Sequence, residues 1–299
     1  MQAIQITELT FRIAEALKIA FKEESIRLQH AWWILEALLK KTKSELITEN
    51  QVVYTAELKT QINSWIGRIV EHNEPIQYLI GHVPFGPLSI KVEHPILIPR
   101  PETEEWVLHF VKQCMDLHLH KKEKIKILEV GTGSGCIALT VGHFLPNATI
   151  IAVDINPLAL KVAQKNAEKL KIKNVFFVES DLDASVPHDI SFDLILSNPP
   201  YISIEEFLEL DCSVTAWEDC NALVAEEDGY QMLNKIAHMG LNRLSKGSLF
   251  SAVGLPSIIL EIGHTQGKLV QEKLDSLGYQ SIKIGQDLQK KDRTVSAHL

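Results

Sequence analysis

The chain reads as an α/β protein, a largely parallel sheet preceded by a small bundle of helices. Three observations predict this. From Lys126 onward, short apolar runs alternate with helical stretches, the rhythm of βαβ units. Between residues 7 and 70 the apolar positions instead recur at helical spacing. A proline-rich and glycine-rich tract between Asn73 and Pro101 separates the two textures. At 299 residues the chain is near the size at which a single hydrophobic core stops growing, so two domains are expected.

The elements come in order. Leu9, Ile13, Leu17 and Phe21 repeat every four residues, Ala31 to Leu39 makes a second apolar face around Trp32 and Trp33, and Thr55 to Val70 makes a third. The two tryptophans are expected as core and interface fillers. Leu88 to Val92 alternates at period two and Ile96-Leu97-Ile98 is apolar, which predicts a hairpin-like connector. On residue types alone, Ile98 to Glu104 is a loop entering a helix, with Thr103 or the neighbouring acids as its cap. Strands are then predicted at Lys126–Val130, Thr149–Val153, Val175–Val178 and Phe192–Leu196. Helices are predicted at Cys136–Phe144 and from Pro157 to about Leu170, and a proline at a first helical position suits the second of these. A helix around Tyr230–Leu244, a strand at Ile258–Ile262, a helix at Lys268–Leu277 and two terminal strands complete the sheet.

Composition narrows the function. A net charge of −8 argues against a protein that relies on phosphate contacts with nucleic acid. Residues 1–80 carry 9 Lys/Arg against 10 Asp/Glu, and the remainder 21 against 28, so neither part is a basic clamp. No membrane span is expected, since no run approaches the roughly 18 apolar residues one needs. The mixed charges of residues 1–25 suit neither a signal nor a transit peptide, which points to a cytoplasmic chain. Cys114, Cys136, Cys212 and Cys220 form no CxxC pair, the histidines no HExxH, and no metal site is expected.

The chemistry lies at three strand ends. Gly131, Gly133 and Gly135 follow one buried strand and precede a helix, a pattern that lets backbone approach a ligand closely. Asp154 ends the next strand 23 residues after Gly131, where a carboxylate accepts ribose hydroxyls. Together they indicate a nucleoside cofactor. The third end is Asn198-Pro199-Pro200-Tyr201, a stiff turn that cannot continue a ladder. An enzyme that methylates a planar amide or amino nitrogen needs such a turn. The Asn198 oxygen and the Pro199 carbonyl can each accept one N–H, aim the nitrogen lone pair, and favour the charge that develops there. Tyr201 can stack on the planar group.

Glu129 to Gly135, Asp154 and Asn198 to Tyr201 resemble the class I S-adenosylmethionine-dependent methyltransferases of the amino-group branch, which includes DNA adenine-N6 enzymes. A narrower resemblance comes from Glu74 to Gly81, Phe85-Gly86 and Leu97 to Glu104. With the helical N-terminal part, these are similar to the release factor glutamine N5-methyltransferases (HemK/PrmC), over nearly the whole chain. The resemblance implies a seven-stranded Rossmann-like class I methyltransferase sheet with a helical substrate-docking domain over 1–85. It further implies a β-hairpin linker over 86–100 and a methyltransferase domain over 101–299. S-adenosyl-L-methionine is the expected methyl donor. The expected substrate is the glutamine of the Gly-Gly-Gln motif in class 1 peptide chain release factors, with no stable nucleic-acid partner. A DNA or RNA adenine-N6 methyltransferase is the alternative.

The same resemblance assigns roles. Glu129, Gly131, Thr132, Gly133, Ser134, Gly135, Asp154, Asp181, Leu182 and Asn198 are expected around the cofactor, with Leu182 beside the adenine. Asn198, Pro199 and Tyr201 are the expected catalytic residues, and Pro200, Arg100 and Glu102 join them in holding substrate. Asp287, Leu288, Asp292 and Arg293 fit a late family pattern, but Lys290 stands where a glycine is usual. The Ser248–Pro256 segment is longer than the usual link into the next strand.

Overall fold

The structure, a computed structural model, describes residues 2–122 and 124–299; Met1 and Glu123 lie outside the described residues. It divides into two compact units, Met1–Gly81 with Asp211–Trp217, and His82–Leu210 with Glu218–Leu299.

The first unit is mostly helical, with helices at Ile6–Ala16, Glu24–Leu39, Lys43–Glu49, Ala56–His72 and Ile76–Ile80. Ile6, Leu9, Ile13 and Leu17 bury almost completely against Ile34, Leu35 and Ile62. Each such side chain contributes about 1.5–3 kcal/mol of burial. Trp32 and Trp33 are half-buried against this core. Thr42 and Thr55 cap two helices, and left-handed Lys40, Asn50 and Asn73 end three. One feature departs from the helical expectation: Gln2–Gln5 pairs antiparallel with Gln51–Tyr54. Two four-residue runs with little alternation leave no period-two signal to read.

In the second unit we number the strands of the main sheet β1 to β7 in chain order. They are β1 Lys126–Val130, β2 Thr149–Asp154, β3 Val175–Glu179, β4 Leu194–Ser197, β5 Ile258–Glu261, β6 Gln280–Gln286 and β7 Asp292–His298. Their order across the seven-stranded sheet is β3-β2-β1-β4-β5-β7-β6. Every neighbouring pair is parallel except those of β7, which runs antiparallel to β5 and β6. β1, β4 and β5 are buried on both faces apart from the first residue of β1, which explains their continuous apolar texture. Val130 pairs with Val153 on one side and Ser197 on the other. The three strands therefore end level, and the segments leaving their carboxyl ends meet at a single sheet edge. The strand order reverses between β1 and β4, and open α/β sheets bind ligands in the crevice at such a point.

The hairpin differs from the expected one. Leu88–Lys91 pairs with His82–Phe85, on its N-terminal side, and not with Ile96–Ile98. The latter run, bracketed by Pro95 and Pro99, stays irregular although Ile96 and Ile98 are buried, while the strand that does pair tolerates Pro84 opposite Ser89. The helix after it spans Pro101–Asp116, and its N-cap is Arg100 with no side-chain cap. Thr103 is therefore not the cap; its hydroxyl is engaged elsewhere. The Ser248–Pro256 segment forms a short helix, Leu249–Ala252, capped by Ser248, with Phe250 buried and stacked on Phe110 at 5.9 Å. No helix among the described residues is long and apolar enough to cross a membrane.

Candidate functional site

The glycine loop closes on itself and on β2. Gly131 and Thr132 donate to the Val153 carbonyl, and Gly135 donates to Thr132. Gly131, Gly133 and Gly135 all take positive φ. A Cβ on Gly135 would meet Ala163 and Leu139 at 3.1 Å, so this glycine lets two helices pack closely. A Cβ on Gly133 would meet nothing within 4 Å, because this turn faces open space. Asn166, fully buried, bonds the Ser134 carbonyl and both backbone groups of Lys91, tying the loop to the hairpin.

Behind the loop sits Glu129, 0% exposed. The Thr132 hydroxyl and the Ala138 N–H both donate to its Oε2, while Oε1 has no hydrogen-bond partner among the described residues. Burial pushes its carboxyl up to about 8, so at neutral pH it is largely protonated. Asp154 stands in front. It accepts from the Gly133 N–H at 2.8 Å and the Asn156 N–H at 2.9 Å, which hold it in one orientation. Burial raises its pKa, against the pull of those two bonds.

The third strand end carries Asn198. Its Nδ2 donates to the Thr103 hydroxyl at 3.2 Å. Thr103 in turn bonds the carboxyl of Glu261, the last residue of β5. That carboxyl is 1% exposed and also accepts from Trp106 Nε1 at 2.7 Å and from the Tyr201 hydroxyl at 3.4 Å. Burial raises it to about 7. Burial likewise raises the Tyr201 phenol, helped by the neighbouring Glu261. The Tyr201 carbonyl accepts from Gln266 Nε2 at 2.9 Å, so the turn is held at both its side chains and its backbone.

These elements enclose a cavity of about 800 Å³. That is within the range of small-molecule sites, which run to roughly 1,000 Å³. Gly131, Gly133, Asp154, Asp181, Leu182, Asn198, Pro199 and Pro200 line it. Glu129, Thr132, Ser134 and Gly135 are buried behind it, where they shape the loop and do not face the cavity. Tyr201, Arg100 and Glu102 are not part of its wall. Arg100 is paired at 2.6 Å with Glu218, whose carboxyl is raised by burial and lowered by that arginine. Glu102 lies 3.9 Å from Arg293, which Asp287 also binds. Lys290, at the usual glycine position, keeps the left-handed backbone with φ 61°, so the turn survives the substitution at some conformational cost.

Sequence reasoning missed the residues that hold these parts: Glu261, Trp106, Asn166, Glu218 and Gln266. Their partners are distant in sequence, from 32 residues for Asn166 and Ser134 to 155 for Trp106 and Glu261. The one available signal was Glu261 itself, a charged residue ending an otherwise apolar strand.

Residues 112–210 match the model of the "Methyltransferase small domain" and residues 15–81 that of the "PrmC N-terminal domain". The release factor glutamine methyltransferase of Lactococcus lactis is 36% identical over 275 residues, covering 92% of this chain and 94% of that one. The protein of the same name from Flavobacterium psychrophilum is 31% identical, over 96% of both chains. Among solved structures, the hMettl16 catalytic domain in complex with MAT2A 3′UTR hairpin 1 superposes with a TM-score of 0.52. It is 15% identical over 82% of this chain and 81% of that one, a likeness of fold alone. A methyltransferase sheet, its glycine loop and its Asn-Pro-Pro-Tyr turn, joined to a matching N-terminal unit, thus coincide with end-to-end similarity, and the chain belongs to the release factor glutamine methyltransferase family.

Proposed function

We propose that this chain transfers a methyl group from S-adenosylmethionine to the side-chain amide nitrogen of the glutamine in the Gly-Gly-Gln motif of class 1 release factors. The observation that carries this reading is the meeting of Asp154, the glycine loop and Asn198-Pro199-Pro200 around one cavity at the switch point of the sheet. Space beside Gly133 and an oriented Asp154 carboxylate suit a nucleoside whose ribose hydroxyls donate to that carboxylate. Leu182 supplies an apolar wall for a base. When bound, S-adenosylmethionine supplies an electrophilic methyl group.

The protein's part is to present the nucleophile. An amide nitrogen is weakly nucleophilic because its lone pair is delocalised. Two acceptors, Asn198 Oδ1 and the Pro199 carbonyl, can take its two N–H groups, fix its plane and stabilise positive charge as the new bond forms. Proline on both sides of the Pro199 carbonyl's peptide limits its movement, so little reorganisation accompanies the reaction. The proton is lost readily once nitrogen carries the methyl, so no strong base is required. The helical unit of residues 1–81 is the proposed docking surface for the protein substrate, a reading supported by its family match.

The test compares label transfer from methyl-labelled S-adenosylmethionine to an unmethylated class 1 release factor and to adenine-containing DNA and RNA. Transfer to the protein alone is expected. Transfer to nucleic acid alone would replace this reading with the adenine-N6 one, which the chain's acidic balance disfavours.

A further inference from the structure

An Asn side chain is ambiguous at the end that matters. Its two termini are similar in size, but only the oxygen can accept an N–H from a substrate amide. If Asn198 presented its NH2 to the cavity, two donors would face each other and the nitrogen would be turned away. Something must therefore select the orientation.

The hydrogen-bond chain behind Asn198 does so. Glu261 is buried and its carboxyl takes hydrogen bonds from Trp106 Nε1, from the Tyr201 hydroxyl and from Thr103. An ionised carboxylate only accepts, so the single Thr103 proton goes to Glu261. The Thr103 oxygen is then left as an acceptor, and it receives Asn198 Nδ2 at 3.2 Å. Asn198 Oδ1 is thereby turned away from Thr103, and Asn198 lines the cavity. Thr103 is 2% exposed and Glu261 1%, so water cannot substitute for either partner.

We propose that Thr103 and Glu261 are positioning residues that set the Asn198 amide with its oxygen toward the substrate. The proposal rests on the functional reading above and adds to it a residue pair acting through Asn198 without touching substrate. The groups that face Glu261 are Thr103 and Trp106 from the helix Pro101–Asp116, Tyr201 from the turn, Arg293 from β7 and Cys136 from the helix after the glycine loop. Glu261→Gln tests the logic from its far end. Its amide can donate to Thr103, which then donates to Asn198 and reverses the amide.

The experiment is a kinetic and spectroscopic comparison of wild type, Thr103→Val, Thr103→Ser and Glu261→Gln at pH 8.5, where the Glu261 carboxyl is ionised. A reacting group misplaced by an ångström costs on the order of 10²-fold, so Thr103→Val and Glu261→Gln should lower kcat by about that factor. S-adenosylmethionine affinity should stay near wild type, the thermal midpoint of Thr103→Val should fall by the few degrees that an unpaired buried hydrogen-bonding group costs, and Thr103→Ser should recover most of the rate. A kcat for Thr103→Val within three-fold of wild type would overturn the proposal. So would a loss that follows cofactor affinity or that serine does not repair. Selective 15N-asparagine labelling, assigned with Asn198→Ala, reads the orientation without any substrate. Slow exchange of the Asn198 NH2 in wild type and Thr103→Ser, and fast exchange in Thr103→Val, is expected. Fast exchange in wild type would refute the locked amide even if no release factor is methylated, whereas a locked amide without methylation would refute only the substrate.

Discussion

Gly229→Ala should damage the Asn-Pro-Pro-Tyr turn from outside it. Gly229 takes φ +85°, and a Cβ built there would stand 2.2 Å from the Tyr201 carbonyl oxygen and 2.8 Å from its carbon. Both are backbone atoms, and the oxygen is also gripped by Gln266, so a side-chain rotation gives no relief. Reaching an ordinary contact of 3.4 Å requires Tyr201 to retreat by about 1.2 Å, a displacement that costs roughly 10²-fold when it reaches the reacting geometry. Left-handed strain adds about 1–2 kcal/mol to the folded state. Gly247→Ala isolates that second effect, because Gly247 also has positive φ, 71°, with nothing within 4 Å of its Cβ. The assay is kcat for release-factor methylation in both variants, with cofactor affinity measured alongside. Gly229→Ala is expected to lose about 10²-fold in kcat relative to Gly247→Ala. Equal rates in the two would show that the turn is not braced from behind.

Three other outcomes are expected from the same geometry. Asp154→Asn removes a charge while keeping its shape and can no longer accept from both Gly133 and Asn156. It should weaken cofactor binding about 10–100-fold by calorimetry, from the loss of charge-assisted hydrogen bonds, and an unchanged Kd would remove Asp154 from the ribose role. The raised carboxyls give a pH slope. Glu129 ionises near 4.5 when unfolded but near 8 when folded, so between those values the folded chain holds the extra proton and stability falls as pH rises. Glu129→Gln should flatten this slope in denaturant titrations, leaving the smaller contribution of Glu261; an unaltered slope would mean that Glu129 is ionised in the native state. Phe250→Ala should cost about 3–5 kcal/mol, the usual loss for a buried aromatic, if the Ser248–Pro256 segment is part of the core. A cost near zero, by chemical denaturation, would make that segment a surface insertion.

Much of the fold and site is legible in sequence because it is local. β1, the glycine loop and the following helix form one continuous stretch, and the apolar run before Asn198 announces a strand buried on both faces. Asp154 is legible for the same reason, as the polar end of such a strand. The hairpin is not, because Leu88–Lys91 has two flanking partners and periodicity does not choose between them. Prolines do not choose either: Pro84 lies inside the strand that does pair, and Pro95 and Pro99 flank the run that does not. Thr103 reads as a cap in sequence because threonine near a helix start usually is one. Its actual partners, Asn198 and Glu261, come from two other strand ends and become neighbours only through the strand order. The residues that hold the site are thus the least visible ones.

The most direct test of the central claim is the intact mass of a class 1 release factor before and after incubation with the enzyme and S-adenosylmethionine. The native factor should gain the mass of one methyl group. The variant with alanine in place of the Gly-Gly-Gln glutamine should gain nothing. No gain on the native factor, or an equal gain on both, would contradict the assignment of that glutamine as the substrate.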